Sequence, residues 1–156
     1  MTNSQAMTII KLHGRDILAS DGMRLEHKFI QHGRISVFKH SLSVAIMCVM
    51  IAELVPFEVN RRSLVRGALL HDYFLYDWHE KDDSHRMHGF IHAKRALQNA
   101  KRDFKLNEIE QNMIETHMFP LNLTALPKYK ESAILCIADK IVATKETADG
   151  FIEKIN

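Results

Sequence analysis

Apolar residues recur every three or four positions over most of the chain, which is the spacing of one face of an α-helix. This pattern predicts helices over residues 16–31, 35–54, 57–72, 86–104, 107–118 and from about residue 131 onward. The pair Asp21 and Gly22 is a turn signal that can interrupt the first of them. Ser84 can cap the fourth, and Asn107 with Glu110 resembles a capping box at the start of the fifth. We interpret residues 1–14 as uninformative, and we expect them to form a loosely held end. No segment shows the strict alternation of a half-buried strand. The sequence therefore predicts an all-α fold, a compact bundle of about six helices.

Length, charge and cysteine content narrow the class of protein. A chain of 156 residues fits a single domain over residues 1–156, and its net charge of +2 argues for neither nucleic-acid nor membrane binding. The N-terminus lacks a basic region followed by an apolar stretch, so we expect no secretory signal. Cys48 and Cys136 lie far apart in apolar runs, as reduced core cysteines do. These features predict a cytoplasmic protein with no nucleic-acid or membrane partner.

An apolar helical run, residues 67–70, ends in the adjacent pair His71 and Asp72. Burying an uncompensated charge costs several kcal/mol, so such groups are normally paired or bound to a metal. Two neighbouring residues share one target most easily at the end of a helix, because they point about 100° apart within it. This pair is the strongest candidate for a functional centre.

Further imidazoles and one carboxylate also lie on apolar helical faces or beside helix ends, namely His40, His88 with His92 behind it, His117 and Asp139. Each alone fits an ordinary core residue, and Asp139 could simply pair with Lys39. Together they would require several separate segments to bury polar groups by accident. Imidazole and carboxylate suit a first-row transition metal, and no thiolates stand at the spacing of a structural zinc site.

The order His-x30-His-Asp, His, His, Asp in an all-helical chain resembles the HD-domain superfamily of metal-dependent phosphohydrolases, over about residues 34–146. Residues 40–45 look like the family's first ligand helix, and residues 66–72 look like its His-Asp signature helix. Residues 88–93 resemble the start of a further ligand helix, and residues 137–141 resemble the terminal aspartate helix.

The resemblance implies a ligand set. His40, His71, Asp72 and Asp139 would hold one metal, and His88 and His117 would hold a second, with Asp72 as the bridge. Such a site favours two ions of iron or manganese per chain, with zinc, nickel, cobalt or magnesium as alternatives. Whether His88 or His92 is the ligand stays open.

The resemblance also implies a reaction. Asp72 would act as the catalytic residue that positions or deprotonates a metal-activated water. The substrate class would be a phosphomonoester, phosphodiester or phosphoanhydride of a nucleotide-like small molecule.

The chain departs from the family's pattern at position 75, which is Leu where many relatives have Lys in His-Asp-x-x-Lys. Another group must then contact the substrate, and the candidates are Lys39, Asp77, Arg86, His92 and Lys140. The Gly-Tyr-Pro extension of cyclic-di-GMP phosphodiesterases and the Glu-Asp pair of guanosine-tetraphosphate hydrolases are absent. Those two substrates therefore carry less weight.

Three alternatives accompany the hydrolase interpretation. The first is a non-catalytic sensor that binds a nucleotide and metal, which the missing Lys at position 75 keeps open. The second is a di-iron oxygenase of the same superfamily. The third is a structural metal in a helical bundle, whose coordination shell would be closed. The sequence leaves the oligomeric state open, a homodimer included.

Overall fold

The computed structural model describes residues 1–32, 34–76 and 88–155, and for residues 32, 88–91 and 152–155 it describes the backbone alone. These described residues form seven α-helices, which confirms the all-α class predicted from the sequence. The helices are α1 (Asn3–Leu18), α2 (Asp21–Leu25), α3 (Val37–Leu54), α4 (Arg61–Leu70), α5 (His88–Asp103), α6 (Glu108–Thr116) and α7 (Lys130–Ile155). A 3₁₀ turn (Glu26–Lys28) leads into an antiparallel ribbon of β1 (Ile30–His32) and β2 (Ile35–Ser36).

The N-terminal segment is helical, so the expectation of a loosely held end was wrong. Thr2 and Gln5 form a capping box, in which each side chain accepts a hydrogen bond from the backbone N–H of the other. Ala6, Ile10 and Ile17 of α1 are completely buried in the core. With Gly14, these buried positions recur every three or four residues, so the helical pattern was present in the sequence and was missed.

The helix predicted over residues 16–31 is interrupted just before Asp21 and Gly22, the pair with the turn signal, and it was wrong beyond Leu25. The chain leaves α1 after Leu18, and the Ser20 hydroxyl caps α2 by accepting a hydrogen bond from the Met23 N–H. The 3₁₀ turn and β1 then replace the rest of the predicted helix. The two strands have three and two residues, which is too short for an alternating pattern to be visible in the sequence.

The later helices agree with the predicted ones in order, with shifted ends. Asn60 caps α4 through the Ser63 N–H, so this helix begins four residues later than predicted. Asn107 and Glu110 form the capping box that the sequence predicts at the start of α6. The cap predicted at Ser84 lies outside the described residues.

Helix α4 lies at the centre of the bundle, since every residue from Ser63 to Leu70 is buried. It packs against α1, α3, α6 and α7. Gly67 allows a close approach to α6, because a Cβ at this position would lie 2.6 Å from the Met113 Sδ. The C-terminal end of α4, where His71 and Asp72 follow, is therefore deep inside the protein.

Among the described helices, Val37–Leu54 (α3) is long and apolar enough to cross a membrane by length and composition. This is weak evidence for a membrane helix, because the core helix of a soluble protein passes the same test. In this fold α3 packs against α4 and α7 and carries the buried His40.

Candidate metal centre

Five helices bring polar side chains together in the middle of the bundle. Three of these side chains lie within helices, namely His40 on α3, His92 on α5 and Asp139 on α7. The other three directly follow helices, namely His71 and Asp72 after α4 and His117 after α6. All six are buried, and the most exposed, Asp139, is only 9% exposed.

The first group surrounds one oxygen of Asp72. Asp72 Oδ2 lies 3.4 Å from His71 Nε2 and 3.7 Å from His40 Nε2. Asp139 Oδ1 lies 3.2 Å from His40 Nε2 and 3.7 Å from His71 Nε2. Ligand atoms of His40, His71 and Asp72 lie within 4.8 Å of one another, as they do around a metal ion.

The second group surrounds the other oxygen of the same carboxylate. Asp72 Oδ1 lies 3.4 Å from both His92 Nε2 and His117 Nε2. The two imidazole nitrogens are 2.8 Å apart. These three residues form a second set of atoms that could hold a metal. Asp72 therefore belongs to both groups and offers one oxygen to each.

Three of the histidines are oriented by acceptors at their outer nitrogens. Nδ1 of His71 donates to the Ala68 carbonyl and Nδ1 of His117 donates to the Ile114 carbonyl, both at 2.8 Å. Nδ1 of His40 lies 2.8 Å from Glu146 Oε2. A proton held at Nδ1 leaves the Nε2 lone pair directed at the cluster, which is how metal-ligating histidines are usually fixed.

Two atoms in the cluster have no hydrogen-bond partner among the described residues. They are His71 Nε2 and Asp72 Oδ1, and both are buried. A buried polar atom without a partner costs about 1–3 kcal/mol, so such atoms normally mark a bound ion, a water or a functional site. Lone pairs of imidazole and carboxylate, with no thiolate among them, fit a divalent first-row transition metal.

The mutual proximity of these groups shifts their acidities. Burial alone would raise the pKa of Asp72, but the charge of His71 and the neighbouring His117 and His92 hold it well below its usual value. Burial lowers the pKa of His117. For His40, hydrogen bonding to Asp139 and Glu146 outweighs burial and raises the pKa to about 10, so a metal at Nε2 would take the place of a proton. Contacts with His40 and His71 likewise outweigh burial and hold the pKa of Asp139 well below its usual value, so both aspartates are anions that can balance a cation.

The predicted site residues fall into three sets. The structure brings together His40, His71, Asp72, His117 and Asp139. His92, weighed both as a ligand and as a substrate contact, lies in the second group. The side chain of His88, and all of Asp77 and Arg86, lie outside the described residues, so their roles stay predictions.

The two lysines predicted to contact substrate have different surroundings. Lys140 Nζ donates to the His117 carbonyl at 2.9 Å and lies 3.4 Å from Asp139 Oδ2, which places its ammonium group beside the cluster. Lys39 is exposed on α3.

Two residues in contact with the cluster were missed from the sequence. Glu146 follows Asp139 by seven residues on α7, hence on the same helical face, and this spacing could have revealed it. Gln31 Nε2 donates to Asp72 Oδ2 at 2.6 Å, and no local pattern in the sequence indicates this contact across 41 residues.

Comparison with protein-family models matches residues 37–144 to the HD domain. The match covers more than half of the chain and includes all six residues of the cluster. Comparison with curated proteins and with solved structures gave no match.

Proposed function

The chain belongs to the HD domain family, and from this membership we propose that it is a metal-dependent phosphohydrolase that acts on a phosphorylated, nucleotide-like small molecule. The observation that carries the proposal is Asp72, whose two oxygens face two separate groups of histidines. A single carboxylate shared in this way suits a centre that holds two cations close together. We further propose that these cations are iron or manganese.

The chemistry would combine the cation with the charges of the protein. A bound divalent metal acts as a Lewis acid that makes water more acidic and withdraws charge from phosphate oxygens. The carboxylates of Asp72 and Asp139 would offset the charge of the cation, since both are held as anions. The imidazoles of His40 and His71 would bind on one side of Asp72, and those of His92 and His117 on the other.

Asp72 is also the candidate for handling the proton of the attacking water. Its Oδ1 has no hydrogen-bond partner among the described residues and faces the second group. An oxygen in this position can accept a hydrogen bond from water and fix the direction of attack. The low pKa of Asp72 favours positioning of the water over permanent removal of its proton.

Lys140 is a candidate for binding the phosphate of the substrate. Its side chain is 37% exposed, while its ammonium group is held beside Asp139 and the His117 carbonyl. A cation at the edge of a buried cluster can contact a phosphate that enters from solvent. This would supply the positive charge that many relatives place at position 75.

The test is phosphate release from a panel of nucleoside phosphates, phosphodiesters and sugar phosphates by manganese- or iron-loaded protein. We expect release from at least one class, reduced about 100-fold or more in Asp72→Asn. Asp149→Asn is the matched control, because Asp149 is exposed on α7 and lies outside the cluster. Unchanged activity in Asp72→Asn would overturn the assignment. Oxygen consumption without phosphate release would select the oxygenase alternative.

A further inference from the structure

The ribbon of β1 and β2 contains an irregularity at Gln31. Ile30 pairs with Ser36 and His32 pairs with Ile35, so the first strand advances two residues while the second advances one. Gln31 is the extra residue of a β-bulge. A bulge bends its strand and changes the direction of a side chain, and bulges are enriched beside active sites.

The side chain that this bulge presents reaches Asp72. Gln31 is 8% exposed, and its Nε2 donates to Asp72 Oδ2 at 2.6 Å. Its Oε1 has no hydrogen-bond partner in the described part of the chain. The amide presents its NH₂ end to the carboxylate, because the amide oxygen in that place would be repelled by the negative charge of Asp72. The contact with Asp72 fixes the orientation of Gln31, and Gln31 in turn restrains Asp72.

Rotation of the Asp72 carboxylate matters because its two oxygens serve different groups. The terminal torsion of an aspartate is broad, so its neighbours decide the plane of the carboxylate. The donor from Gln31 acts on Oδ2, the oxygen that faces His40 and His71, and this leaves Oδ1 directed at His92 and His117. We propose that Gln31 is a positioning residue that holds the Asp72 carboxylate so that each oxygen faces one half of the metal centre.

This inference rests on the metal centre of the proposed function, so its test measures metal binding and does not depend on turnover. In Gln31→Met the side chain keeps its length and loses the donor. Partners of metal ligands typically contribute 10- to 100-fold to affinity, and we expect about this loss when the full-length protein is titrated with Mn²⁺ alone. Gln111→Met is the matched control, since Gln111 is a half-buried amide that donates to the Leu106 carbonyl. We expect its Mn²⁺ affinity to be unchanged.

A spectroscopic measurement separates positioning from general stabilisation. Two Mn²⁺ ions bridged by one carboxylate are magnetically coupled, and electron paramagnetic resonance detects this coupling. We expect the coupled signal in wild type and in Gln111→Met, and its loss or reduction in Gln31→Met. Gln31→Asn provides a second variant if Gln31→Met does not fold, because it keeps the amide and shortens its reach by one methylene. It should show the same loss.

Wild-type affinity and an unchanged coupled signal in a folded Gln31 variant would overturn the inference, whatever the melting temperature. Wild-type protein that binds no Mn²⁺ would overturn the metal centre and the inference together. Wild-type protein that binds Mn²⁺ but releases no phosphate would refute the phosphohydrolase proposal alone, and the affinities of the variants would still decide the role of Gln31.

Discussion

Replacing Glu26 with Met should stabilise the metal-free protein. Glu26 lies in the 3₁₀ turn, is completely buried, and has no hydrogen-bond partner for either carboxyl oxygen among the described residues. Burial raises the pKa of this carboxyl well above its ordinary value of 4.5, and the charge of Asp72 adds to the effect while His40 opposes it. The raised pKa favours the neutral form of Glu26 in the folded protein, and the described residues offer this carboxyl no hydrogen-bond partner.

The expected gain has a constant part and a part that depends on pH. An unsatisfied buried polar group costs about 1–3 kcal/mol, which Met would remove. The unfolded chain releases the Glu26 proton above pH 4.5, whereas the folded chain keeps it up to its raised pKa. Because of this difference in proton binding, the contribution of Glu26 to the free energy of unfolding is highest below pH 4.5. It falls by about 1.4 kcal/mol per pH unit as the pH rises from 4.5 towards the pKa of Glu26 in the folded protein. The advantage of Met should grow over the same range.

Urea and thermal unfolding of chelator-treated protein between pH 5 and about pH 7 measure both parts. At pH 5 we expect Glu26→Met to raise the melting temperature by about 2–12 °C, with a larger difference at neutral pH. Glu110→Met is the contrasting control, because Glu110 is equally buried but lies 3.2 Å from Arg66 Nε and accepts a hydrogen bond from the Asn107 N–H. It should lose about 1–3 kcal/mol, because the Arg66 guanidinium and the Asn107 N–H each lose a partner, although Arg66 still donates to Asp16 at 2.7 Å. A loss of stability in Glu26→Met that does not vary with pH would refute the reasoning.

Two further perturbations test the metal centre and the core. Glu146→Ala removes the carboxylate that orients His40 and should weaken Mn²⁺ binding about 10- to 100-fold, measured by calorimetry. Glu146→Gln keeps an acceptor for His40 and should recover part of the affinity. Equal affinity in wild type and both variants would contradict this role of Glu146. Gly67→Val places a branched side chain against Met113 and should lower the free energy of unfolding by about 1–3 kcal/mol, measured by urea denaturation. An unchanged midpoint of urea unfolding would contradict the close approach of α4 and α6.

Much of the fold could be predicted because the later helices carry their sequence signals, apolar periodicity and capping residues, within their own segments. Apolar periodicity places His40 on the buried side of α3, and the Asn107–Glu110 capping box marks the start of α6. The pair His71 and Asp72 stands at the end of an apolar run, which is where the structure places the cluster. In each case the sequence signal and the residue that it identifies belong to the same helix or to its immediate end.

The parts that could not be predicted depend on contacts between distant segments. The turn and ribbon around Glu26 and Gln31 have too few residues to show a strand period, and their direction is set by packing against α3 and α7. The hydrogen bond from Gln31 to Asp72 joins the bulged residue of β1 to a residue 41 positions away, so no local pattern indicates it. The seven-residue spacing of Glu146 from Asp139 can be read from the sequence. It identifies Glu146 as a partner of the cluster only once the structure shows that His40 faces that side of α7.

The measurement that tests the central claim most directly is the metal content of untagged protein by elemental analysis, compared between wild type, His117→Ala and Asp72→Ala. The account predicts about two ions of iron or manganese per chain in wild type. About one ion should remain in His117→Ala, because the first group keeps His40, His71, Asp139 and the Asp72 carboxylate. Asp72→Ala should lose both ions, because each group loses an oxygen of the shared carboxylate. Folded wild-type protein without metal, or an undiminished content in Asp72→Ala, would contradict a centre built around this carboxylate.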